Sequence, residues 1–289
     1  MKIKSFADFK INKKILHAVV DMGFEAPSPI QSMTIPLLLS GKDVIGQAQT
    51  GTGKTAAFGI PIVEKITSRE LQALIITPTR ELAIQIAEEI KNIGKYKRIN
   101  VLPIYGGQPI ERQIRGIKRG IQVIVGTPGR ILDHLQRKTL NLNKINIVVL
   151  AQADEMLDMG FIEDIENISS YAPHTRQTIL FSDTMPPELL ALAKKYMNNP
   201  EYISVIKEQI TVPTIEQYYF ESKEKNKVED LCQVIDMAQP EKALIFCRTK
   251  KRVDSLVENL RIRGYIADGL HGGLTQRQRE KVMQNFRKG

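Results

Sequence analysis

One short run in this sequence has residue types and spacing suited to binding phosphate groups. It is AQTGTGKT, Ala48–Thr55, which follows the apolar stretch DVIGQ and precedes TAAFGIPIVEKI, a pattern of helical spacing. Gly51 and Gly53 let backbone N–H groups close around phosphate oxygens, and Lys54 can reach the outer phosphates. The Thr55 hydroxyl can ligate Mg²⁺, and a helix beginning here adds partial positive charge. The run predicts a phosphate-binding loop; the alternative is a glycine-rich turn that only caps a helix.

A second run, INIVVLAQADEMLDMGF from Ile145 to Phe161, predicts a buried strand followed by a turn and a helix. Many nucleotide-hydrolysing enzymes place acidic residues where such a strand ends. Here the first two residues after the apolar stretch are Ala151 and Gln152, which carry no charge, and Asp154 follows. A phosphate-handling site at this position would therefore lack its pair of acids.

Short apolar, β-branched stretches alternate with longer helical patterns over the first two thirds of the chain. The candidate strands are Asp43–Gln47, Ala73–Thr77, Val101–Ile104, Val123–Gly126, Ile145–Leu150 and Thr178–Ser182. Strands that alternate with helices predict βαβ units and a mostly parallel α/β sheet. Ligands of such sheets bind at the carboxyl ends of the strands, which is where the phosphate-binding run lies.

The alternation is interrupted by a polar, proline-containing stretch that we interpret as a linker, residues 207–214. The linker separates a first domain, 1–206, from a shorter segment, 215–289. In that segment a helical pattern over KNKVEDLCQVIDMA is followed by a candidate strand, ALIFC, and by two further helical patterns. About 75 residues is small for an independent α/β domain, so we interpret the segment as part of one.

The charge balance favours a polyanionic partner. Lys and Arg number 41 against 32 Asp and Glu, which gives a net charge of +9 and a pI near 9.4. The two cysteines, Cys232 and Cys247, are too few for a disulfide framework or a cysteine metal site. No apolar run approaches the length of a membrane span and the first residues lack a signal-peptide core, so we expect a cytoplasmic protein.

Nine motifs occur in an order that resembles the DEAD-box RNA helicases. They are GFEAPSPIQ, AQTGTGKT, PTREL, GG, TPGR, ADEMLDMGF, FSDTMP, LIFCRT and HGGLTQRQRE. The resemblance extends over essentially the whole chain. It implies a RecA-like first domain followed by part of a second RecA-like domain, which together clamp ATP and single-stranded RNA. The family separates short RNA duplexes by bending one strand locally, so the resemblance implies that activity, with ATP and Mg²⁺ as cofactors.

The resemblance also implies roles for individual residues. Gln31 would pair with the adenine edge and Phe6 would stack on the ring. The phosphates would be held by Gln49, Thr50, Gly51, Thr52, Gly53, Lys54 and Thr55, with Thr55 also on Mg²⁺. The catalytic set would be Lys54, Asp154, Ser182 and Thr184. The RNA backbone would contact Pro78, Thr79, Arg80, Gly106, Gly107, Thr127, Gly129 and Arg130, and in the second domain Arg248, Thr249, Gln276 and Arg279. These residue types contact phosphate and 2′-OH groups rather than base edges, so RNA binding should be sequence-independent.

Three departures from the family pattern predict impaired hydrolysis. Where the family has Asp-Glu-Ala-Asp, this chain begins with Ala151 and Gln152, so the oxygen for the metal shell and the group that activates water are both replaced. Asp183 stands where the family has alanine and adds a negative charge near the phosphates. The alternative, that Asp183 replaces the missing metal ligand, is disfavoured because Asp183 follows a different strand. The family's later motifs, including the arginines that complete the ATP site, have no counterpart within the 289 residues.

Two other functions remain open from the sequence. The first is a non-hydrolysing, ATP-dependent RNA clamp or assembly platform, since Gln152 keeps the shape of the water-activating Glu; Ala151 argues against it by weakening the metal site. The second is a phosphate-loop kinase for a small molecule, which would leave PTREL and TPGR without a role.

Overall fold

A computed structural model of the chain describes residues 4–205 and 215–288. The chain divides into two compact units, Met1–Glu208 and Gln209–Gly289. The linker predicted at 207–214 lies outside the described residues.

The first unit is built on a seven-stranded, entirely parallel sheet with the strand order β3-β4-β2-β5-β6-β1-β7. The strands are β1 Val44–Gln47, β2 Ala73–Ile76, β3 Val101–Ile104, β4 Val123–Gly126, β5 Ile147–Ala151, β6 Gln177–Ser182 and β7 Glu201–Ser204. The α/β class and the six predicted strands are therefore confirmed, with small shifts at the strand ends. The seventh strand, β7, was not predicted; it is a short edge strand whose residues are alternately half-buried and exposed.

Helices cover both faces of this sheet. They are α1 Lys13–Asp21, α2 Pro29–Leu39, α3 Lys54–Lys65, α4 Arg80–Ile93, α5 Ile110–Lys118, α6 Pro128–Gln136, α7 Ala153–Asp158, α8 Ile162–Ser170 and α9 Pro187–Tyr196. Val149 of β5 packs into the core that contains Phe58 of α3, whereas its neighbour Val148 packs into the core that contains Ile165 of α8. Because successive strand residues point to opposite faces, a strand buried on both faces is apolar throughout, as β5 is.

The second unit contains the helices α10 Lys227–Ala238, α11 Lys250–Ile262 and α12 Gln276–Lys288. The strand predicted over ALIFC is wrong, because residues 215–288 contain no strand. A strand is stabilised by a neighbour that bonds its N–H and C=O groups and covers its side chains. Leu244 and Phe246 instead have 71% and 94% of their surface exposed. None of the helices in the described part of either unit is long and apolar enough to cross a bilayer.

Candidate functional site

The strand order divides the carboxyl edge of the sheet into two neighbouring regions. β5, β6 and β1 are adjacent, and they lead into the Gln152 turn, the Asp183 loop and the phosphate-binding run. β3, β4 and β2 are also adjacent, and they lead into the other predicted motifs, GG, TPGR and PTREL. Within the first unit, the topology therefore places the loops predicted for phosphate and metal beside one another, and the three loops predicted for RNA beside one another.

The run after β1 has the backbone of a phosphate-binding loop. Gly51 and Gly53 have φ angles of +82° and +86°, a left-handed conformation that glycine adopts without steric cost. α3 begins at Lys54, so its free N–H groups point toward the loop. A Cβ on Gly53 would lie 2.3 Å from Gln31 Nε2, whereas one on Gly51 would meet no atom within 4 Å. Gly53 therefore allows close packing against Gln31, whereas Gly51 leaves space beside the loop backbone.

Ser28 and Gln31, at the start of α2, hold this loop in place. The Ser28 hydroxyl donates to the Thr52 carbonyl at 2.7 Å, and Gln31 Nε2 donates to the Gly53 carbonyl at 3.0 Å. Gln31 Oε1 accepts the Ser28 N–H at 2.9 Å, which completes a capping box. Gln31 is only 1% exposed, so its amide supports the loop in this structure. Its contact with adenine stays a prediction.

Phe6 is part of the hydrophobic core. Its ring is 3% exposed and meets Phe9 and Phe24 edge-on, with ring centroids 5.9 and 5.8 Å apart. The stacking of Phe6 on adenine also stays a prediction, and it requires one face of the ring to be uncovered.

The Asp183 carboxylate, after β6, lies in the phosphate-binding loop. One oxygen forms an ion pair with Lys54 Nζ. The other accepts the Thr50 backbone N–H at 2.9 Å and the Thr50 hydroxyl at 2.7 Å. Lys54 Nζ also donates to the Ala48 carbonyl at 2.6 Å. Burial lowers the pKa of the Lys54 ammonium to about 8, and the negative charge of Asp154 acts in the opposite direction. The Lys54 ammonium and the Thr50 N–H and hydroxyl thus already bind one anionic group, the Asp183 carboxylate.

The end of β5 carries only part of the expected metal and water site. Ala151 has no side-chain oxygen, and Gln152, with φ of 57°, turns the chain into α7. Asp154 Oδ2 accepts the backbone N–H and the hydroxyl of Thr184, both at 2.8 Å, and the Asp154 N–H donates to Ser182 Oγ at 3.1 Å. Burial raises the pKa of Asp154, but the hydrogen bonds from Thr184 and Ser182 together lower it below its ordinary value of 3.8.

Few groups here suit Mg²⁺, whose ligands are oxygens. The described residues contain no cluster of three or more His, Cys, Asp and Glu side chains that would hold a metal. Thr55 and Asp154 are the residues that would contact a nucleotide-bound Mg²⁺ or its waters. Glu89 of α4 was not predicted; its carboxylate accepts a hydrogen bond from Thr55, and burial raises the pKa of Glu89 while that bond opposes the shift. Glu89 lies in the C-terminal half of α4, and its position in the sequence gave no signal of the contact with Thr55.

The loops after β2 and β3 meet through Arg80. A Cβ on Gly107 would lie 2.4 Å from Arg80 Nη1, and one on Gly106 would lie 3.4 Å from Arg80 Nη2. Gly107 has φ of +86°, so glycine is needed for both the turn and the close approach. Thr79 caps α4 by accepting the Leu82 N–H at 3.3 Å. PTREL and GG are therefore one surface, with the Arg80 guanidinium lying against the glycines.

The loops after β3 and β4 meet through Arg130. Both of its terminal nitrogens donate to the Gln108 carbonyl, at 3.1 and 3.2 Å, and one also reaches Gln113 Oε1 at 3.2 Å. The Arg130 side chain is 14% exposed. A Cβ on Gly129 would meet no atom within 4 Å, so the backbone there is open, and Thr127, the residue before α6, makes no capping hydrogen bond with its side chain. Arg130 thus positions the loop after β3.

The residues predicted for RNA in the second unit lie on or beside its helices. Thr249 caps α11 by accepting the Arg252 N–H at 3.2 Å, and Arg248 before it is exposed. Gln276 begins α12, is 8% exposed and donates to Glu280 at 3.2 Å. Arg279 is half-buried in the same helix. Their roles stay predictions.

Residues 28–192 match the family model of the DEAD/DEAH box helicases, which covers more than half of the chain. The chain belongs to the DEAD-box helicase family. Residues 226–289 match the helicase conserved C-terminal domain. The DEAD-box ATP-dependent RNA helicase CshA of Geobacillus kaustophilus is 55% identical over 287 residues, which are 99% of this chain and 62% of the relative. The protein of that name from Bacillus subtilis is 54% identical, over 99% of this chain and 58% of the relative. The chain thus spans about three fifths of these DEAD-box relatives.

Solved structures of DEAD-box proteins have the same fold. A DEAD box protein from the hyperthermophile Methanococcus jannaschii is 42% identical, with a TM-score of 0.70, over 100% of this chain and 78% of that one. S. cerevisiae Dbp5 bound to RNA and ADP BeF3 is 32% identical, with a TM-score of 0.88, over 99% of this chain and 74% of that one. The RecA-like fold expected from the motifs is therefore confirmed.

Proposed function

We propose that this DEAD-box chain binds ATP and single-stranded RNA to remodel RNA duplexes, and that its own hydrolysis of ATP is lost or strongly impaired. The observation that carries the proposal is the division of the sheet edge: a phosphate-binding loop after β1 and a surface of Arg80, glycines and Arg130 after β2, β3 and β4.

RNA binding is supported by the chemistry of that second region. Arg80 offers a guanidinium for phosphate, and Gly129 leaves the backbone open to close approach. None of these groups reads base edges, so affinity should depend little on sequence and strongly on salt. The net charge of +9 acts in the same direction.

Nucleotide binding is supported by the loop geometry around Gly51 and Gly53 and by the position of Lys54. When bound, Mg²⁺ would neutralise charge on the phosphates. Lys54 would place its ammonium on the outer phosphates, and the N–H groups at the start of α3 would hold their oxygens. Asp154, fixed by Thr184 and Ser182, would orient groups between β5 and β6.

Loss of hydrolysis is supported by the end of β5. Ala151 supplies no oxygen for the metal shell, and the Gln152 amide cannot accept a proton from an attacking water. Removal of one preorganised electrostatic group typically lowers kcat by about 10²–10³-fold, and two such losses act on one step.

We propose ATP and Mg²⁺ as the cofactors and the cytoplasm as the location.

Anisotropy of labelled single-stranded RNA tests the binding half of the proposal. Two RNAs of unrelated sequence should bind with affinities within about threefold, and both should weaken steeply from 50 to 200 mM salt. A chain that binds neither RNA, or only one of them, contradicts the proposal.

A non-hydrolysing RNA clamp is the second candidate. It is favoured by the intact contacts of Asp154 with Ser182 and Thr184, beside a Gln152 that cannot activate water. The clamp predicts that RNA dissociates at least about tenfold more slowly with ATP and Mg²⁺ than without nucleotide, which a chase with unlabelled RNA measures. Equal dissociation rates would exclude it.

A further inference from the structure

The Asp183 carboxylate uses the donors that a phosphate-binding loop normally offers to phosphate. Three of these donors are engaged: the Lys54 ammonium, the Thr50 N–H and the Thr50 hydroxyl. Charged hydrogen bonds of this kind are about twice as strong as neutral ones. The Lys54 side chain is 11% exposed and that of Asp183 is 33% exposed, so water screens the pair only in part.

The surrounding structure holds Asp183 in this position. Its carbonyl accepts a hydrogen bond from Gln47 Nε2 at 3.3 Å. Gln47 is in turn held by the Tyr202 hydroxyl at 2.6 Å and by Ser204 at 3.3 Å, both in β7. On the other side of Asp183, Thr184 is held by Asp154. The carboxylate is therefore presented to the loop by a backbone fixed on both sides.

We propose that Asp183 is an internal ligand of the phosphate loop, which competes with the outer phosphates of the nucleotide and so limits nucleotide binding. The inference rests on the proposed ATP site. Phosphates and carboxylate are anions that require the same Lys54 and Thr50 groups, so both cannot occupy them together. Nucleotide binds only the fraction of molecules in which Asp183 has left the loop, so the apparent affinity equals the intrinsic affinity multiplied by that fraction.

The competition is specific to phosphate. The adenine and ribose of a nucleotide make no use of Lys54 or Thr50, so Asp183 should weaken adenosine binding little. Inorganic tripolyphosphate, which carries the phosphates without the base, should be affected most strongly. The substitution Asp183→Asn would keep an acceptor oxygen but lose the charge. Its affinity for ATP and tripolyphosphate should therefore lie between those of the unchanged chain and Asp183→Ala.

Isothermal titration of the chain with ATP, tripolyphosphate and adenosine tests the inference. Asp183→Ala should bind ATP and tripolyphosphate at least about tenfold more tightly, as expected when fewer than about one molecule in ten has an open loop. Asp183→Asn should show a smaller gain, and adenosine should bind all versions alike. Glu188 is an exposed acid in the first turn of α9, outside the phosphate-binding loop. Glu188→Gln removes the same charge as Asp183→Asn and should leave the affinities for ATP and tripolyphosphate unchanged.

Each other outcome overturns the inference in an identifiable way. If ATP binds Asp183→Ala no more tightly, but still binds, the competition is absent while the proposed ATP site stands. If Asp183→Ala weakens ATP binding, and does so only in the presence of Mg²⁺, Asp183 is a metal ligand instead. If neither ATP nor tripolyphosphate binds any version, the proposed ATP site fails as well. The unfolding midpoint of each variant, measured by circular dichroism, shows whether the variant is folded.

Discussion

Asp154 and Thr184 join the ends of two neighbouring strands through a pair of hydrogen bonds. The Asp154 carboxylate accepts both the backbone N–H and the hydroxyl of Thr184 at 2.8 Å, across the paired strands β5 and β6. The contact fixes the loop that carries Asp183, on the side away from Gln47. It therefore links the end of β5, where Ala151 and Gln152 lie, to the loop after β6 that carries Asp183.

Thr184→Val should lower the free energy of unfolding by about 1 kcal/mol, because the hydroxyl bond to a carboxylate is lost while the backbone bond remains. Urea unfolding monitored by circular dichroism measures the change. Thr175→Val, at an exposed threonine before β6, is the matched control and should be close to neutral. Equal effects of the two substitutions would mean that the hydroxyl bond contributes nothing.

The same contact predicts how stability depends on pH. The pKa of Asp154 in the folded protein lies below its ordinary value of 3.8, so the ionised form is favoured by folding. Its stabilising effect is complete above about pH 4–5 and is lost as the pH falls through the folded pKa. The difference in unfolding free energy between the chain and Asp154→Asn should therefore be constant near neutrality and shrink below about pH 4. A difference that grows on acidification would contradict the assignment.

The contact of Gly53 with Gln31 predicts an asymmetry between the two loop glycines. Both Gly51→Ala and Gly53→Ala force a side chain into the left-handed region, at a cost of about 1–2 kcal/mol. Gly53→Ala should cost more and weaken ATP binding further, since its Cβ would lie 2.3 Å from Gln31 Nε2. In a Gln31→Ala background the two substitutions should become equally costly. Denaturant unfolding of the single and double variants tests this coupling.

Arg80 should contribute to RNA affinity through charge alone. Arg80→Gln should weaken binding to unrelated RNAs by a similar factor. It should also reduce, by about one unit, the slope of log affinity against log salt concentration. Arg69→Gln, an exposed arginine in the loop that precedes β2 and so at the opposite edge of the sheet, removes the same charge and should leave the slope unchanged. A loss of affinity confined to one RNA sequence would show that Arg80 reads bases.

Much of this arrangement follows from the sequence, because buried parallel strands are continuous apolar runs and their loops meet at one edge. β7 was missed because Glu201–Ser204 is short and half-exposed, so it lacks such a run. The apolar composition of ALIFC indicated a strand, but residues 215–288 provide no strand to pair with it.

The position of the Asp183 side chain could not be predicted from the sequence. Its charge predicts an unfavourable effect on bound phosphates and gives no sign of the contact with Lys54 and Thr50, which depends on β6 lying beside β1.

The loss of hydrolysis is the central claim, and RNA-stimulated phosphate release tests it most directly. The chain is compared with its Ala151→Asp, Gln152→Glu, Asp183→Ala variant, each in the complete protein, with saturating RNA, ATP and Mg²⁺. The variant should release phosphate at least about 10²–10³-fold faster, because a metal ligand and a base return to the end of β5 and the loop is freed. Equal rates in the two proteins would contradict the account.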